Sequence, residues 1–302
     1  MKTQIPDQLK ADVPQTTMGK LLLITPVVMT VIATLLAGLA SSEMTKAQYN
    51  RAYAAQLQSK AGDQWNYFQA KKLRSAIQRN AIELLQATAE QRPLAPATVT
   101  QIGGAVDAAT LAALTTVKLP GFARSNENEP AVKTALEAFE QTRPDAELTT
   151  ALNALPEATL AAALKTARDN AHAFDAATKP VTEAIDKLEQ AFEQAFATSD
   201  RAVIRDFTVA RIRFAAARYD AEARLNQAVA SLLELQVRKT NISAERHHRR
   251  SGRFFLGMLA AQAAVVVSTF SLAAQKRNLL WIVAAIAGIV AIAFAIYVYL
   301  YV

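Results

Sequence analysis

Histidines and neighbouring carboxylates are the residues of this sequence whose types and spacing could support acid–base or metal chemistry. The histidines are His172, His247 and His248, so no helix can carry the HExxH pair that binds zinc. Acids one helical step apart have lysines nearby, as on solvated helix faces: Glu137 with Glu140, and Glu189 with Glu193. We therefore predict a non-enzymatic protein with no catalytic, cofactor-binding or metal-binding residues.

The amino-acid composition excludes several kinds of catalytic and binding site. Cysteine is absent, which removes thiolate nucleophiles, thiolate metal sites and disulfides. None of the nine glycines stands in a phosphate-binding GxGxxG or GxxxxGK[ST] spacing. The formal charge is +7, but bases alternate with acids along most of the chain, so we expect no nucleic-acid partner.

A basic segment directly precedes an apolar stretch. We interpret it as a collar against anionic lipid headgroups, which contribute about 1 kcal/mol per Lys or Arg near the surface. A general topology signal is a compatible interpretation. The collar residues are Arg246, Arg249, Arg250 and Arg253.

Three uncharged stretches predict transmembrane helices at 21–40, 254–274 and 279–302, after a short tail at 1–20. Each has about the ~20 residues that a helix needs to cross the hydrocarbon. Ala37 to Ala40 could alternatively end a cleaved secretory signal. The break at 275–278 is so short that the last two spans should form a hairpin.

Small residues at four-residue spacing predict close helix packing inside the membrane. Chance occurrence in alanine-rich spans is the competing explanation. Gln262 is polar at mid-depth, so we expect it to turn toward a neighbouring helix. The predicted packing residues are Ala33, Ala37, Gly257, Ala261, Gln262, Ala284 and Gly288.

Both ends of the segment 41–253 must lie on one membrane face, because a span precedes it and another follows it. Basic residues near the spans are more numerous on this side, which favours a cytoplasmic domain. Against this, Lys276 and Arg277 lie in the short loop where basic residues weigh most.

Helical periodicity in 41–253 predicts a coiled-coil-like stalk of two long helices, 41–91 and 200–250. Ser41 or Ser42 would cap the first helix and Asp200 the second. In the first helix the apolar stripe combines Leu57, Trp65 and Phe68 with Leu73, Ile77 and Leu84. Predicted packing residues of the stalk are Trp65, Phe68, Phe207, Phe214, Leu225 and Leu232.

Prolines punctuate the region 93–199, which predicts shorter helices separated by turns, one of them starting at Pro180. No run shows the period-two alternation of a strand. The predicted fold class is an all-α membrane protein with three transmembrane helices and a helical extramembrane domain between spans 1 and 2.

The segment Lys60 to Lys72 reads KAGDQWNYFQAKK and resembles a bacterial family of unknown function, domain of unknown function 4337, whose members carry a similar segment. Arg246 to Arg250, followed by two spans with Trp281 early in the last, also resembles the family. This resemblance covers 20–90 and 200–302, with no match at 93–180. It implies a bacterial inner membrane and a helical stalk, but no activity.

We expect a homo-oligomeric scaffold or accessory subunit whose partners are the lipid bilayer, copies of itself and other membrane proteins. The alternative is a channel or transporter built from several copies, because three spans alone give little wall for a solute pathway. An enzyme that uses 93–180 is a weaker alternative, since no convergent site is visible.

Overall fold

The computed structural model describes residues 17–88, 90, 92–121, 129–194, 201–273 and 277–301. Within these ranges the regular structure is helical and no strand occurs, which confirms the all-α fold class. The chain divides into two compact units: Met1–Tyr53 with Thr240–Val302, and Ala54–Lys239.

Eight helices make up the described chain. They are α1 (Thr17–Thr88), α2 (Pro96–Gly103), α3 (Ala108–Thr116), α4 (Pro130–Glu140), α5 (Asp145–Ala154), α6 (Glu157–Gln194), α7 (Arg201–Ala273) and α8 (Arg277–Tyr301). Of these, α1, α7 and α8 each contain a stretch long and apolar enough to cross a membrane.

Two helices each combine a predicted span with a predicted stalk helix, as the sequence indicates for the first of them. α1 joins the predicted first span to the first stalk helix, and α7 joins the second stalk helix to the second span. Ser41 and Ser42 lie inside α1 rather than at a cap, because no proline or glycine there interrupts the backbone hydrogen bonds. α1 ends at Thr88, just before the proline-containing segment. The proposed cap Asp200 lies outside the described residues.

α6 runs through Pro180, where the sequence analysis places a helix start. A proline inside a helix removes one hydrogen bond and crowds the carbonyl four residues earlier, at a cost of roughly 3 kcal/mol. Burial on both sides of Pro180 offsets this cost: Phe174 and Thr178 before it and Ile185 and Leu188 after it are buried. Tertiary packing therefore keeps one helix where local propensity predicts a break.

In the unit Met1–Tyr53 with Thr240–Val302, the apolar parts of α1, α7 and α8 pack against one another. Trp281 on α8 donates its indole N–H to the Thr25 hydroxyl on α1, at 2.9 Å. Ser251 on α7 donates to the Ala40 carbonyl of α1, at 2.7 Å. The core that the three helices share contains Ala33, Leu36, Ala40, Phe254, Ala261, Ala291 and Val298.

In the unit Ala54–Lys239, the long helix α6 and the short helices around it cover α7. Phe192 of α6 stacks on Phe207 of α7 with ring centroids 4.0 Å apart. Val99 and Leu114 from α2 and α3 join the same cluster, and Phe214 extends it along α7. The residues after Pro180 in α6 thus pack against the second stalk helix.

Within this unit, α1 and α7 run antiparallel. Gln58 bonds to Glu234 at 3.2 Å, while further along α1 Ser75 donates to the Ala216 carbonyl at 3.0 Å. Residues later in α1 therefore lie beside residues earlier in α7. The pairing fixes which face of each helix is buried.

Only part of the predicted stripe on α1 belongs to that buried face. Leu57 is buried, whereas Leu73, Ile77 and Leu84 are exposed. Ser75, two residues from both Leu73 and Ile77, is the buried residue here, and about 100° of rotation per residue puts its neighbours at i±2 on the far side. The predicted stripe therefore combines residues from two different faces of α1.

Candidate functional site

Two buried carboxylates on α7 form the most unusual chemical environment in the unit Ala54–Lys239. Asp220 is 7% exposed and Glu222 is 4% exposed. Burying a charge is costly unless an opposite charge and hydrogen bonds accompany it. Side chains of α1 and α7 supply both, and we call the set the Tyr219 cluster: Lys71, Lys72, Arg74, Arg79, Arg218, Tyr219, Asp220, Glu222 and Arg224.

Asp220 binds cations from both helices. Its carboxylate accepts hydrogen bonds from Lys72 of α1 and from Arg224 one turn along α7, each at 2.7 Å. Arg79 lies 3.8 Å away. Burial raises the pKa of Asp220, but the hydrogen bond from Lys72 and the charges of Arg224 and Lys72 outweigh burial, so the pKa lies below its usual value.

Glu222 is held by one cation from each helix. It forms ion pairs with Lys71 of α1 and, at 3.3 Å, with Arg218 of α7. Asp175 of α6 is near enough to feel this charge: desolvation and the negative charge of Glu222 together raise the pKa of the Asp175 carboxyl. The three helices therefore share one electrostatic environment.

The Tyr219 ring provides a face for three cations. The Arg218 guanidinium lies 4.6 Å from the ring centroid, and the Lys71 ammonium and Arg74 guanidinium lie 5.3 and 5.8 Å from it. Cation–π attraction contributes about 0.5–1 kcal/mol at exposed sites and more when the cation is desolvated. Lys71 thus meets a carboxylate and an aromatic face at once.

This arrangement is suited to holding α1 and α7 in register. A carboxylate whose pKa is lowered is a poor general base near neutral pH. Among the residues that the structure describes, no group of three or more His, Cys, Asp or Glu side chains could hold a metal ion. The chemistry available to the Tyr219 cluster is charge pairing between α1 and α7.

The predicted collar on α7 is only partly exposed. Arg246 and Arg249 are exposed, whereas Arg250 and Arg253 are half-buried. Arg249 donates to Glu245 of the preceding turn at 3.0 Å. That carboxylate has a lowered pKa, chiefly because of this hydrogen bond. The collar thus includes an acid, which partly neutralises it.

The collar segment also contains His247, which pairs with a second acid. Glu43 of α1 lies 2.6 Å from the Nδ1 atom of His247 and accepts a hydrogen bond from Lys46 at 2.8 Å. Burial raises the pKa of Glu43, but the hydrogen bonds from Lys46 and His247 outweigh it and lower the pKa below its ordinary value. The available signal was an acid three residues after the first span.

Lys239 is one of the basic residues on the domain side of the second span. Its ammonium donates to the carbonyls of Leu152 and Leu155 at the end of α5, the first at 3.0 Å. A cation at a helix C-terminus satisfies carbonyls that the helix leaves unbonded. This lysine is engaged in the fold, so it is a weaker topology signal than the sequence analysis assumed.

All but one of the predicted small packing residues of the spans are buried. Ala33, Ala261, Ala284 and Gly288 are buried, Gly257 is also buried, and Ala37 is half-buried. A Cβ added at Gly257 would lie 3.4 Å from a methyl group of Leu36, and one added at Gly288 would collide with the Met29 side chain. Small residues at these two positions therefore allow close helix approach.

Gln262 differs from the expectation. Its side chain is exposed on the surface of α7 and does not turn into the packed interior of the three helices. Ala261 and Ala264 take the buried positions on this turn. At 3.6 residues per turn, Gln262 cannot share their face.

The predicted packing residues of the stalk are placed more variably. Phe207, Phe214, Leu225 and Leu232 of α7 are buried. Phe207 and Phe214, however, contact the cluster around α6. Leu225 packs with Phe174 of α6. On α1, Trp65 and Phe68 are half-buried and form an edge-to-face pair with centroids 5.5 Å apart.

Sequence reasoning missed Tyr219, Asp220 and Glu222. Both acids lie within the helical periodicity of 200–250, which was identified from its apolar residues alone. A usable signal was the run Lys71-Lys72 in the first predicted stalk helix, which requires acids opposite it if that face is buried.

Residues 22–178 match the family described as Domain of unknown function (DUF4337). The chain belongs to this family. The matched range begins in the first apolar stretch and includes Lys71, Lys72 and Asp175. It also includes 93–178, which the sequence analysis left outside the resemblance, whereas residues 200–302 lie beyond it. Searches of curated proteins and of solved structures find no match.

Proposed function

We propose that this DUF4337 protein is a non-enzymatic, membrane-anchored scaffold or accessory subunit that forms homo-oligomers through its helical domain. The observation that carries the proposal is the Tyr219 cluster, where buried acids of α7 form ion pairs with α1 and hold the two long helices together. A helix pair held in this way offers a rigid surface on which other proteins can assemble.

Apolar outer surfaces support the membrane anchor. In the three candidate spans, large side chains face outward, among them Leu35 at 64%, Phe270 at 65% and Ile289 at 66% exposure. Surfaces of this size in contact with water would be strongly unfavourable, whereas lipid covers them without cost. We place the protein in a bacterial inner membrane, with residues 41–253 on the cytoplasmic side.

Native mass spectrometry of the intact protein in mild detergent tests the oligomer. We expect a defined homo-oligomer that persists on dilution, whereas a monomer at all concentrations would contradict the proposal. Conductance or solute flux through proteoliposomes would instead favour the channel or transporter. In native membranes, before detergent is added, the protein should remain in the membrane fraction after carbonate extraction.

Sidedness has a separate test, because the chain has no native cysteine to react in the background. A single cysteine replaces Lys60 or Asn241, both of which are exposed. We expect neither variant to react with a membrane-impermeant maleimide in intact cells and both to react after lysis. Labelling in intact cells would place the domain on the opposite side.

A further inference from the structure

The side of α1 that faces away from α7 carries a second regular pattern. Between residues 66 and 87, uncharged residues recur at alternating spacings of four and three. Every one of them is exposed. We call this set the outer seam: Asn66, Ala70, Leu73, Ile77, Asn80, Leu84 and Ala87.

The outer seam contains an unusual concentration of exposed apolar side chains. Leu73 is 62% exposed, Ile77 56% and Leu84 67%. Among the described residues outside 21–40, 254–274 and 279–302, the other exposed large hydrophobic side chains are Tyr49 and Tyr67, which also lie on α1. α7 does not cover the outer seam, because it contacts α1 through Lys72 and Ser75 on the other side.

Alternating spacings of three and four are the signature of a helix that packs along one stripe against another helix. We propose that the outer seam binds a second copy of this chain, with the two α1 helices parallel and in register. The inference rests on the proposed membrane-anchored oligomer and names the surface through which it forms.

Parallel pairing follows from the anchor. α1 is a single helix that contains both the first candidate span and the outer seam. Two copies inserted in the same direction into one bilayer therefore have α1 helices that point the same way. A second copy is then a partner that automatically presents a matching seam in the matching direction.

In a parallel pair in register, each seam residue meets its own counterpart. Ile77 and Leu84 would bury their side chains against the same residues of the second copy. Asn80 would lie opposite Asn80, where the two amides can donate to and accept from each other. A polar pair of this kind costs stability but specifies register.

Charges beside the outer seam are compatible with this pairing. One flank carries a base, Arg74, and the other carries an acid, Glu83, within the seam's length. In a parallel two-stranded arrangement, opposite flanks of the two helices face each other. Neither Arg74 nor Glu83 therefore meets its own counterpart in the second copy, and no two like charges are opposed.

Cysteine cross-linking in native membranes tests the pairing. Leu73→Cys and Leu84→Cys are made separately in the full-length chain, which has no other cysteine. After mild oxidation we expect each variant to form a disulfide-linked dimer in at least several-fold higher yield than Gln86→Cys. Gln86 is exposed on the same helix but lies outside the outer seam, so it reports random collisions.

Several other outcomes would overturn the inference. A link that forms only when Leu73→Cys and Leu84→Cys are expressed together would indicate antiparallel helices. A cross-link to a different protein would identify another occupant of the seam. An oligomer in native mass spectrometry without cross-links above the Gln86→Cys level would reject the outer seam while leaving the proposed function intact; a strict monomer would reject both.

A charge substitution gives an independent readout. Leu84→Glu changes an exposed residue, so the single chain should keep its helical circular dichroism. We expect the dimer population in native mass spectrometry to fall at least several-fold. Gln86→Glu adds the same charge on another face and should leave the population unchanged. Equal populations for the two variants would contradict the inference.

Discussion

At Glu222, the balance between burial and charge pairing decides the stability of the α1–α7 contact within Ala54–Lys239. The side chain is 5% exposed, while its partners Lys71 and Arg218 are 27% and 18% exposed. Replacing a buried ion pair by apolar residues is often neutral, but removing one partner leaves the other charge buried and unpaired. The same logic explains why Asp220 is surrounded by cations.

We predict that Glu222→Gln lowers the free energy of unfolding by about 2–3 kcal/mol, less than a fully buried pair would lose because both cations reach some water. Denaturant unfolding of the detergent-solubilised protein, followed by circular dichroism, measures the change. Glu137→Gln is the matched control, since Glu137 is 48% exposed and pairs with Lys133 on one helix face. The control should change stability by less than about 0.5 kcal/mol.

Adding Lys71→Gln to Glu222→Gln removes one of the unpaired cations. The double variant should therefore recover part of the lost stability. An additive further loss, or equal effects of Glu222→Gln and Glu137→Gln, would show that the ion pairs at Glu222 do not stabilise the contact.

At the scale of helices, tertiary burial overrides local breakers. α6 continues through Pro180, and α1 continues through Pro26. In α6 the buried residues on either side of Pro180 contact different clusters, Phe174 with Leu225 and Leu188 with the Phe192–Phe207 pair. The helix is therefore held at both ends while its centre carries the proline.

We predict that Pro180→Ala raises the free energy of unfolding by up to roughly 3 kcal/mol, because it restores a backbone donor and relieves crowding in the preceding turn. Pro180 is exposed, so the change removes little packing. Thermal unfolding by circular dichroism measures it. Pro156→Ala, just before the start of α6, is the control and should give no such gain, as proline is well tolerated at a helix start. A loss of stability in Pro180→Ala would show that packing requires the distortion at this point.

At the scale of the whole molecule, carboxylates with lowered pKa occur in both compact units. Glu43 and Glu245 belong to the unit Met1–Tyr53 with Thr240–Val302, and Asp107 and Asp220 belong to Ala54–Lys239. An acid whose pKa is lower in the folded than in the unfolded state stabilises the fold above its ordinary pKa. That stabilisation is lost as the pH falls through the folded value.

We therefore predict that the free energy of unfolding falls as the pH drops below about 4, near the ordinary carboxyl values. Asp220→Asn should flatten this dependence, because the substituted side chain no longer titrates. Asp169→Asn is the control. Asp169 is 59% exposed, and its ion pair is with Lys165, one turn earlier in the same helix. Unfolding midpoints from pH 3 to 6 give the slopes; the same slope for Asp220→Asn and the parent protein would refute the assignment.

The amino-acid sequence by itself determined the all-α class, the positions of the apolar stretches and the family. These depend on local periodicity, on runs without charge and on the KAGDQWNYFQAKK segment, all of which can be read one helix at a time. The buried faces of α7 followed similarly, because Phe207, Phe214, Leu225 and Leu232 have few other ways to leave water.

Only the tertiary structure decided which face of each helix meets which partner. Leu73, Ile77 and Leu84 recur at helical spacing as the residues near Leu57 do, but they lie on the face of α1 that α7 does not cover. That register depends on pairs far apart in the chain, such as Lys72 with Asp220 and Glu43 with His247. Spacing along one helix cannot specify such contacts, because each depends on which residue a second helix places opposite it.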